Sequence, residues 1–456
     1  MSMQRLSAFA HDIGAEHRGA DAMVARVCHD SRQLQRGDLY VALRGERHDG
    51  HRFVEQAEAA GAVGALVSDW VDSPLPQLRV PDTLTGLQAM GTAWRAQQSL
   101  PVVAVTGSNG KTTTKQMLAA ILATRGPVLA TAGNLNNHIG VPLTLLGLRA
   151  EHRSAVIEMG ANHAGEIALL TRLARPDVGV VTQAGDAHLE GFGSREGVAR
   201  AKGELFAGLD HGIAVINSDD AYAGLWAGLA QQVRQIRFGL GVNADVRAEA
   251  VEALSTSDTQ GSRFVLETPV GRTSVRLPLP GLHNVINALA AAACAVAVGV
   301  DVAEIAEGLD RLVPPPGRLS WKSTPQGARL LDDSYNANPS SLQAGMALLA
   351  AQPGTRLLVL GGMAELGADS VRLHHEAGRA ARALGLDAIY GLGALAAEAV
   401  RGFGSPAKAF EDIDELTAAV RARLDSNSVV LIKGSRSARM ERVVAALTGD
   451  APGEIH

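Results

Sequence analysis

An apolar run, Val102-Val103-Ala104-Val105-Thr106, breaks directly into Gly107-Ser108-Asn109-Gly110-Lys111-Thr112-Thr113-Thr114, and this junction restricts the fold more than any other stretch. The run has the length and composition of a buried parallel strand, and the glycine-rich residues after it read as a tight loop that opens a helix. In such a unit the loop N–H groups converge on one point, and the helix directs the positive end of its dipole to the same point. An anion cradle results. Lys111 is placed to neutralise the β and γ phosphates of a nucleotide, and the Thr112 hydroxyl to ligate Mg²⁺. Gly107, Ser108, Asn109, Gly110, Lys111, Thr112 and Thr113 are thus the expected nucleotide-binding residues. The full phosphate-loop spacing would need a glycine at position 105, where the chain has Val105, so a shortened loop is expected.

Composition narrows the class. A chain of 456 residues suggests about three domains. A hydrophobic share of 46% with 20% charged residues is that of a soluble globular protein. Fifty glycines beside only four tyrosines, four tryptophans and eight phenylalanines imply many strand-to-helix turns and cores of Ala, Val and Leu, which favours an α/β protein. The net charge of −5, with scattered arginines, gives no footprint for nucleic acid. Cys28 and Cys294 stand alone and far apart, which supports neither a disulfide framework nor a zinc site. Residues 1–14 lack a signal-peptide core, and the longest small-apolar run, residues 288–300, is too short to span a bilayer. No membrane insertion is expected, and a reducing cytoplasm is the expected compartment.

Along the chain, the first eighty residues carry short strand candidates at 22–27, 38–42 and 64–67 and a helical pattern at 53–60, a small α/β module. After Pro81-Asp82 the pattern becomes regular alternation: the strand ending at Val105, a helix from Lys111, then strands at 155–158, 178–182 and 213–217 with helical stretches between. That argues a mostly parallel sheet covered by helices on both faces. Residues 263–267 and 273–277 read as an antiparallel hairpin appended to that sheet. A helix-rich stretch at 284–312 stops at Pro314-Pro315-Pro316-Gly317, a stiff hinge. Strands at 329–332, 356–360, 388–391 and 429–432 then alternate with helices as a second doubly wound unit. The expected domains are residues 1–82, 83–313 and 314–456.

Doubly wound sheets place their ligands at the carboxyl ends of strands. Glu158 ends the run Ala155-Val156-Ile157, so its carboxylate emerges at the same edge as the phosphate loop. Either it ligates Mg²⁺ or it caps the turn and pairs with a lysine. His188 follows the strand at 178–182 in a similar way, as a candidate metal ligand or an ordinary loop histidine. Lys202 lies in a helical stretch, where a lysine is usually a solvated side chain. The cations of Lys433-Gly434-Ser435-Arg436 either hold a substrate carboxylate or pair with neighbouring acids.

Together these pieces resemble the Mur ligases of peptidoglycan precursor synthesis, over nearly the whole chain. Within that family the resemblance is to the member that joins D-alanyl-D-alanine to UDP-N-acetylmuramoyl-tripeptide. Residues 106–113 are similar to the family's shortened ATP loop; Gly133-Asn134-Leu135-Asn136-Asn137-His138 and Glu158-Met159-Gly160-Ala161-Asn162 resemble signatures of its central domain. Leu282-His283-Asn284-Val285-Ile286-Asn287 resembles the segment flanking adenine, and Asp332-Asp333-Ser334-Tyr335-Asn336-Ala337-Asn338-Pro339 the start of the third domain. Asp30-Ser31-Arg32 and Asp49-Gly50-His51-Arg52-Phe53 look like the uridine-diphosphate end. The resemblance departs at Gly361-Gly362-Met363, where that member usually reads Gly-Asp-Met.

The resemblance implies a three-domain fold: a small N-terminal α/β domain for the UDP-sugar-peptide, a central phosphate-loop domain for ATP, and a Rossmann-like C-terminal domain. It implies that Glu158 and His188 bind Mg²⁺ with Thr112, and that Lys202 is carbamylated and acts as a carboxylate near a second metal. It places Asn284 on adenine and Arg318 and Asp333 on the phosphates and ribose, with ATP clasped between two domains that close. Ser31, Asp49, His51, Asn134, Asn137, Asn336 and Asn338 are its implied substrate contacts. ATP and Mg²⁺ are the implied cofactors, the two peptides the small-molecule partners, and a monomer the expected state.

The implied chemistry is phosphorylation of a peptide carboxylate by ATP to an acyl phosphate, then attack by the amine of D-Ala-D-Ala with phosphate as leaving group. No residue is assigned as the base that deprotonates the amine. Two rivals belong to the same class. The sibling ligase for the third amino acid usually carries Asp-Asn-Pro-Arg, absent here, and a folylpolyglutamate synthase-like enzyme usually reads Gly-Lys-Gly-Ser where this chain has Gly110-Lys111-Thr112-Thr113. A rival of another class is a nucleotide-gated binding protein that hydrolyses ATP without ligating anything.

Overall fold

The computed structural model describes residues 2–46, 48–186, 189–255 and 260–450. They form three α/β units, each around its own sheet. The first sheet has five strands in the order Glu16–Arg18, Gln77–Arg79, Gly64–Val67, Asp38–Val41, Arg26–Cys28. Only the pairing of Glu16–Arg18 with Gln77–Arg79 is antiparallel. The helix Leu6–Ile13 buries Leu6, Phe9 and Ala10 in the core of this unit.

The second sheet has nine strands. Third from one edge, Val102–Thr106 lies parallel between Ser154–Glu158 and Val178–Val181. The chain leaves this strand for one side and later returns to the other, so a crevice opens at its carboxyl end, the usual ligand position in such sheets. Ile213–Asn217, Arg234–Gly239 and Val246–Ser255 extend the parallel run on the far side. The hairpin Gln260–Thr268 and Gly271–Leu277 closes that edge antiparallel, in the place the sequence suggested.

Two helices pack against the phosphate-loop helix Lys111–Leu122. Leu282–Ala297 buries almost its whole surface, because its Ala288-to-Ala295 stretch of small side chains lets the chain pack on all sides. The helix Val302–Asp310 comes so close to Lys111–Leu122 that a Cβ on Gly308 would lie 2.4 Å from Ile121 Cα. The phosphate-loop helix is therefore braced along its length by tight packing, and its first turn is held still at the crevice.

Residues 311–319, with the three prolines, run without helix or strand into the third unit. Its six strands take the order Ser320–Ser323, Arg329–Asp333, Ser428–Lys433, Thr355–Gly361, Ala388–Leu392, Ala407–Phe410, parallel except for Ser320–Ser323 at one edge. Among the described residues no helix is long and apolar enough to cross a membrane.

Candidate active site

The loop after Val102–Thr106 is shaped by two glycines. Gly107 has φ +141°, and a Cβ there would lie 1.9 Å from Thr182 Oγ1. Gly110, at φ +80°, would put one 2.2 Å from Asn287 Oδ1. The loop is thus wedged between the end of the strand Val178–Val181 and the helix Leu282–Ala297, with Thr182 Oγ1 donating to Asn109 O at 2.6 Å. Ser108 Oγ both donates to Gly185 O and accepts from Gly185 N–H. Lys111 Nζ folds over its own loop onto Gly107 O at 2.7 Å, and burial depresses its pKa. Such a cradle fits a phosphate chain: it leads straight into the first turn of the helix Lys111–Leu122, either glycine's side chain would strike a wall, and its lysine donates only to neutral carbonyls.

Glu158 stands at the end of the neighbouring strand, 3% exposed. Its Oε2 accepts from Thr112 Oγ1 at 2.9 Å and lies 3.3 Å from Lys115 Nζ, while Oε1 accepts from Asn136 Nδ2 at 2.8 Å. Burial alone would push its pKa up, but Lys115, Lys111 and Arg318 overcome that and hold it below the usual carboxylate range. Glu158 pairs with a lysine, as the plainer reading expected, and still presents an ionised carboxylate beside the Thr112 hydroxyl. Those two oxygens suit Mg²⁺, which takes one or two protein carboxylates and fills its remaining positions with phosphate oxygens and water. Among the described residues no group of three or more His, Cys, Asp and Glu forms a metal cluster, so the protein alone does not complete such a shell. His188 lies outside the described residues.

Lys202 departs from the solvated side chain its helix suggested. It is 1% exposed in the helix Arg195–Ala207, with Nζ donating to Ala161 O at 3.2 Å and lying 5.2 Å from the centre of the Phe192 ring. Burial first, and then the charge of Lys111, push it down to about 7. Among the described residues no carboxylate forms an ion pair with its ammonium; Glu166 and Glu204 act on it only through space.

The third unit contributes the opposite wall of a cavity of about 980 Å³. Arg318 Nη2 donates to Thr112 Oγ1 at 3.0 Å, and its guanidinium stacks 4.1 Å from the centre of the Tyr335 ring. Asn338 caps the helix Pro339–Ala350, accepting from Ser341 N–H, and its Nδ2 donates to Asn109 Oδ1 at 2.6 Å. Asn109 Nδ2 in turn donates to Ser340 Oγ at 2.8 Å. The phosphate loop is therefore read directly by the third unit. Asp333 is buried against Lys433, Oδ2 to Nζ 2.5 Å, and Lys433 also donates to Asn336 O at 2.9 Å. Of the two readings of the last-strand cations, pairing holds for Lys433, and Arg436 pairs with Glu441 at 2.9 Å.

Ser108 to Thr113, Asn134, Asn137, Glu158 and Asn284 line the cavity from the second unit; Arg318, Asp333, Asn336 and Asn338 line it from the third. Asn284 caps no N–H group: its Nδ2 donates to Pro280 O and its Oδ1 accepts from Asn287 Nδ2. Lys202 reaches the lining only through Ala161. Ser31, Asp49 and His51 are not brought to it. In the first unit Asp49 Oδ1 accepts from His51 N–H and contacts His51 Nδ1 at 2.6 Å, while His51 Nε2 accepts from Ser68 N–H. The carbonyl of Ser31 accepts from Gln56 Nε2. Lys115 and Asn136 escaped the sequence reading as site residues. Lys115 was signalled only by its spacing of four from Lys111, which puts both on one helix face.

Comparison with known proteins bears on this cavity. The profile of the Mur ligase middle domain matches residues 105–295, that of the Mur ligase glutamate ligase domain residues 317–436, and that of the Mur ligase catalytic domain residues 23–123. The chain is 45% identical, over 97% of its length and 98% of the relative's, to the UDP-N-acetylmuramoyl-tripeptide–D-alanyl-D-alanine ligase of Escherichia coli. The chain belongs to the Mur ligase family. The Bacillus subtilis ligase of the same description is 36% identical over 92% of each chain. Among solved Mur ligases, MurF from Acinetobacter baumannii superposes with a TM-score of 0.92 at 37% identity over 99% of both chains. MurF from Thermotoga maritima in complex with ADP superposes with a TM-score of 0.82 at 28% identity, over 93% of this chain and 97% of that one. The Mur ligase fold is thus shared over all three units, and the long edge hairpin and the antiparallel strand Ser320–Ser323 belong to it here. At Gly362, where the resemblance departs, the carbonyl accepts from Ser435 N–H at 3.0 Å. This backbone bond ties together the loops after two neighbouring strands without any side chain.

Proposed function

We propose that this Mur ligase joins the amine of D-alanyl-D-alanine to the terminal carboxylate of UDP-N-acetylmuramoyl-tripeptide and converts ATP to ADP and phosphate as it does so. The observation that carries the reading is the meeting, in one cavity, of a phosphate loop with Lys111, the Thr112–Glu158 oxygen pair, and Arg318 from the opposite unit. Near-full-length identity of 45% to a ligase of that description supports the choice of substrates. The domains are assigned as residues 1–82 for the UDP-sugar-peptide, 83–313 for ATP and 314–456 for closing on both. Ser31, Asp49 and His51 fall to the first of these, away from the reacting atoms.

The triphosphate lies on the loop N–H groups, with Lys111 released from its own carbonyls to the β and γ phosphates. A carboxylate oxygen of the tripeptide attacks the γ-phosphorus, the bond to the β-phosphate oxygen breaks, and ADP and an acyl phosphate result. Arg318 and Lys111 face the charge spread over the transferred group and stabilise it electrostatically. Thr112 and Glu158 would hold Mg²⁺, which would supply further neutralisation of that charge when bound. The amine then attacks the acyl carbon, and the tetrahedral intermediate expels phosphate and leaves the amide. Asn109, Asn338 and Ser340 keep the two walls together and exclude water, which would otherwise hydrolyse the acyl phosphate.

Lys202 is assigned as a carbamate, a cation turned into an oxygen ligand near the site. A buried amine whose pKa is drawn down to about 7 has a substantial neutral fraction at neutral pH, and the neutral amine is the form that adds carbon dioxide. The enzyme is assigned as a single chain that works in the cytoplasm, where its nucleotide substrates are held.

Phosphate release by the purified protein with Mg-ATP, UDP-N-acetylmuramoyl-tripeptide and D-Ala-D-Ala, and with each omitted in turn, tests the reading. Release that requires all three, with a pentapeptide product by mass, supports it; release indifferent to the dipeptide overturns it in favour of another amine or a nucleotide switch.

A further inference from the structure

The loop that follows the strand Thr355–Gly361 reaches the cavity through Ala364, Glu365 and Leu366. It is fastened from behind. His374, fully buried in the helix Ser370–Ala383, contacts Ser370 O through Nδ1 at 2.6 Å and accepts from Met363 N–H through Nε2 at 2.8 Å. Only a single proton, on Nδ1, satisfies both bonds, because the carbonyl needs a donor and the N–H an acceptor. Burial holds the ring's pKa below its ordinary value, so the neutral form that this pairing requires is the one present at neutral pH. From the other side Gly362 O accepts from Ser435 N–H at 3.0 Å, and the Met363 and Leu366 side chains are buried in the core of the third unit.

Held at these points, the loop carries Glu365 in the left-handed region, at φ +62°. That conformation is unfavourable for a residue with a Cβ and persists only where the surroundings over-determine it, and such strain clusters at binding and catalytic sites. Here it leaves Glu365 exposed on the cavity wall. On the neighbouring loop, after Ser428–Lys433, Ser435, Arg436 and Ser437 line the same wall. A carboxylate on one loop thus stands beside donor groups on the next, with the bond from Ser435 N–H to Gly362 O fixing their spacing. The second unit brings the phosphate loop and the Thr112–Glu158 oxygens to the opposite wall, so the third-unit loops face the substrate that enters last. A dipeptide with an ammonium at one end and a carboxylate at the other has the complementary pattern. We propose that Glu365 binds the ammonium group of the incoming dipeptide and that His374 is the positioning residue that holds its loop in place.

The proposal rests on the reading that D-Ala-D-Ala is the amine substrate, and steady-state kinetics separate the two. KM for D-Ala-D-Ala, KM for ATP and kcat are measured by phosphate release for the wild-type protein, Glu365→Gln, His374→Phe, His374→Gln and the double variant Glu365→Gln/His374→Phe. Glu365→Gln is expected to raise KM for the dipeptide about tenfold, the scale of one hydrogen bond to a charged group, with KM for ATP unchanged. His374→Phe should raise the same constant, and His374→Gln, whose amide oxygen can accept from Met363 N–H, should recover most of it. The double variant should be no weaker than the weaker single one, since His374 acts through Glu365. An unchanged dipeptide KM in Glu365→Gln, or an equal rise in KM for ATP, overturns the amine contact, and this exposed position decides it even if His374→Phe does not fold. Additive effects, or no recovery in His374→Gln, overturn the positioning role of His374. A wild-type protein that releases phosphate without regard to D-Ala-D-Ala overturns the substrate reading and this proposal with it.

Discussion

Lys115 Nζ lies 3.3 Å from Glu158 Oε2, and the two side chains are 1% and 3% exposed. Lys115 also donates to Thr131 O at 2.7 Å, so the ammonium is fixed at both ends. Breaking a buried pair from one side leaves an uncompensated charge, whereas replacing both partners removes the problem. Lys115→Met is expected to cost about 3 kcal/mol of stability in urea unfolding. Adding Glu158→Leu should recover part of that loss while activity stays absent. A single variant as stable as the wild type would show that the pair carries no such load.

Asn338 serves two ends at once, as cap of Pro339–Ala350 and as donor to Asn109. Aspartate caps a helix as well as asparagine but offers no N–H. Asn338→Asp should therefore leave the unfolding midpoint unchanged and lower kcat/KM about tenfold, the scale of one lost bond in a charged setting. Steady-state kinetics beside denaturation curves check both halves.

Lys202→Ala should lose activity that acetate or another short carboxylic acid partly restores, because the missing group acts as a carboxylate rather than a cation. Methylamine should not restore it. The rescue is read as phosphate release against acid concentration, and an active alanine variant without added acid would remove the carbamate from the account.

His283 links stability to pH. Its folded pKa, drawn down to about 4, lies below the ordinary 6.5. Above pH 6.5 neither state binds the proton and the full stability is present. Between 6.5 and 4 the unfolded chain takes up a proton that the folded one refuses, so stability falls, by about 2 kcal/mol between pH 7 and pH 5. In His283→Phe this part of the acid-side loss should vanish, as the difference between urea midpoints at the two pH values will show.

Interior strands were legible because their apolar runs are unbroken: Gly64–Val67 and Ile213–Asn217 fall where the sequence puts them. Some strands that escaped notice are short and at edges, such as Glu16–Arg18 and Ser320–Ser323, where one side faces solvent and the residues need not be apolar. Arg234–Gly239 and Val246–Ser255 escaped although interior, because charged residues interrupt their apolar ones. The phosphate loop and Glu158 could be found because each comes directly after such a run at the carboxyl edge. Lys202 and Lys433 could be named but not placed. Whether a lysine is solvated or buried depends on what packs over it, here Phe192 and the Ala161 carbonyl for one and Asp333 for the other.

The central claim is that the amide forms through an acyl phosphate, and oxygen labelling tests it most directly. UDP-N-acetylmuramoyl-tripeptide labelled with ¹⁸O in its terminal carboxylate is turned over with ATP and D-Ala-D-Ala, and the phosphate is analysed by mass. The account predicts one labelled oxygen in each phosphate released, carried over from the carboxylate through the mixed anhydride. Pentapeptide formed with unlabelled phosphate would contradict it.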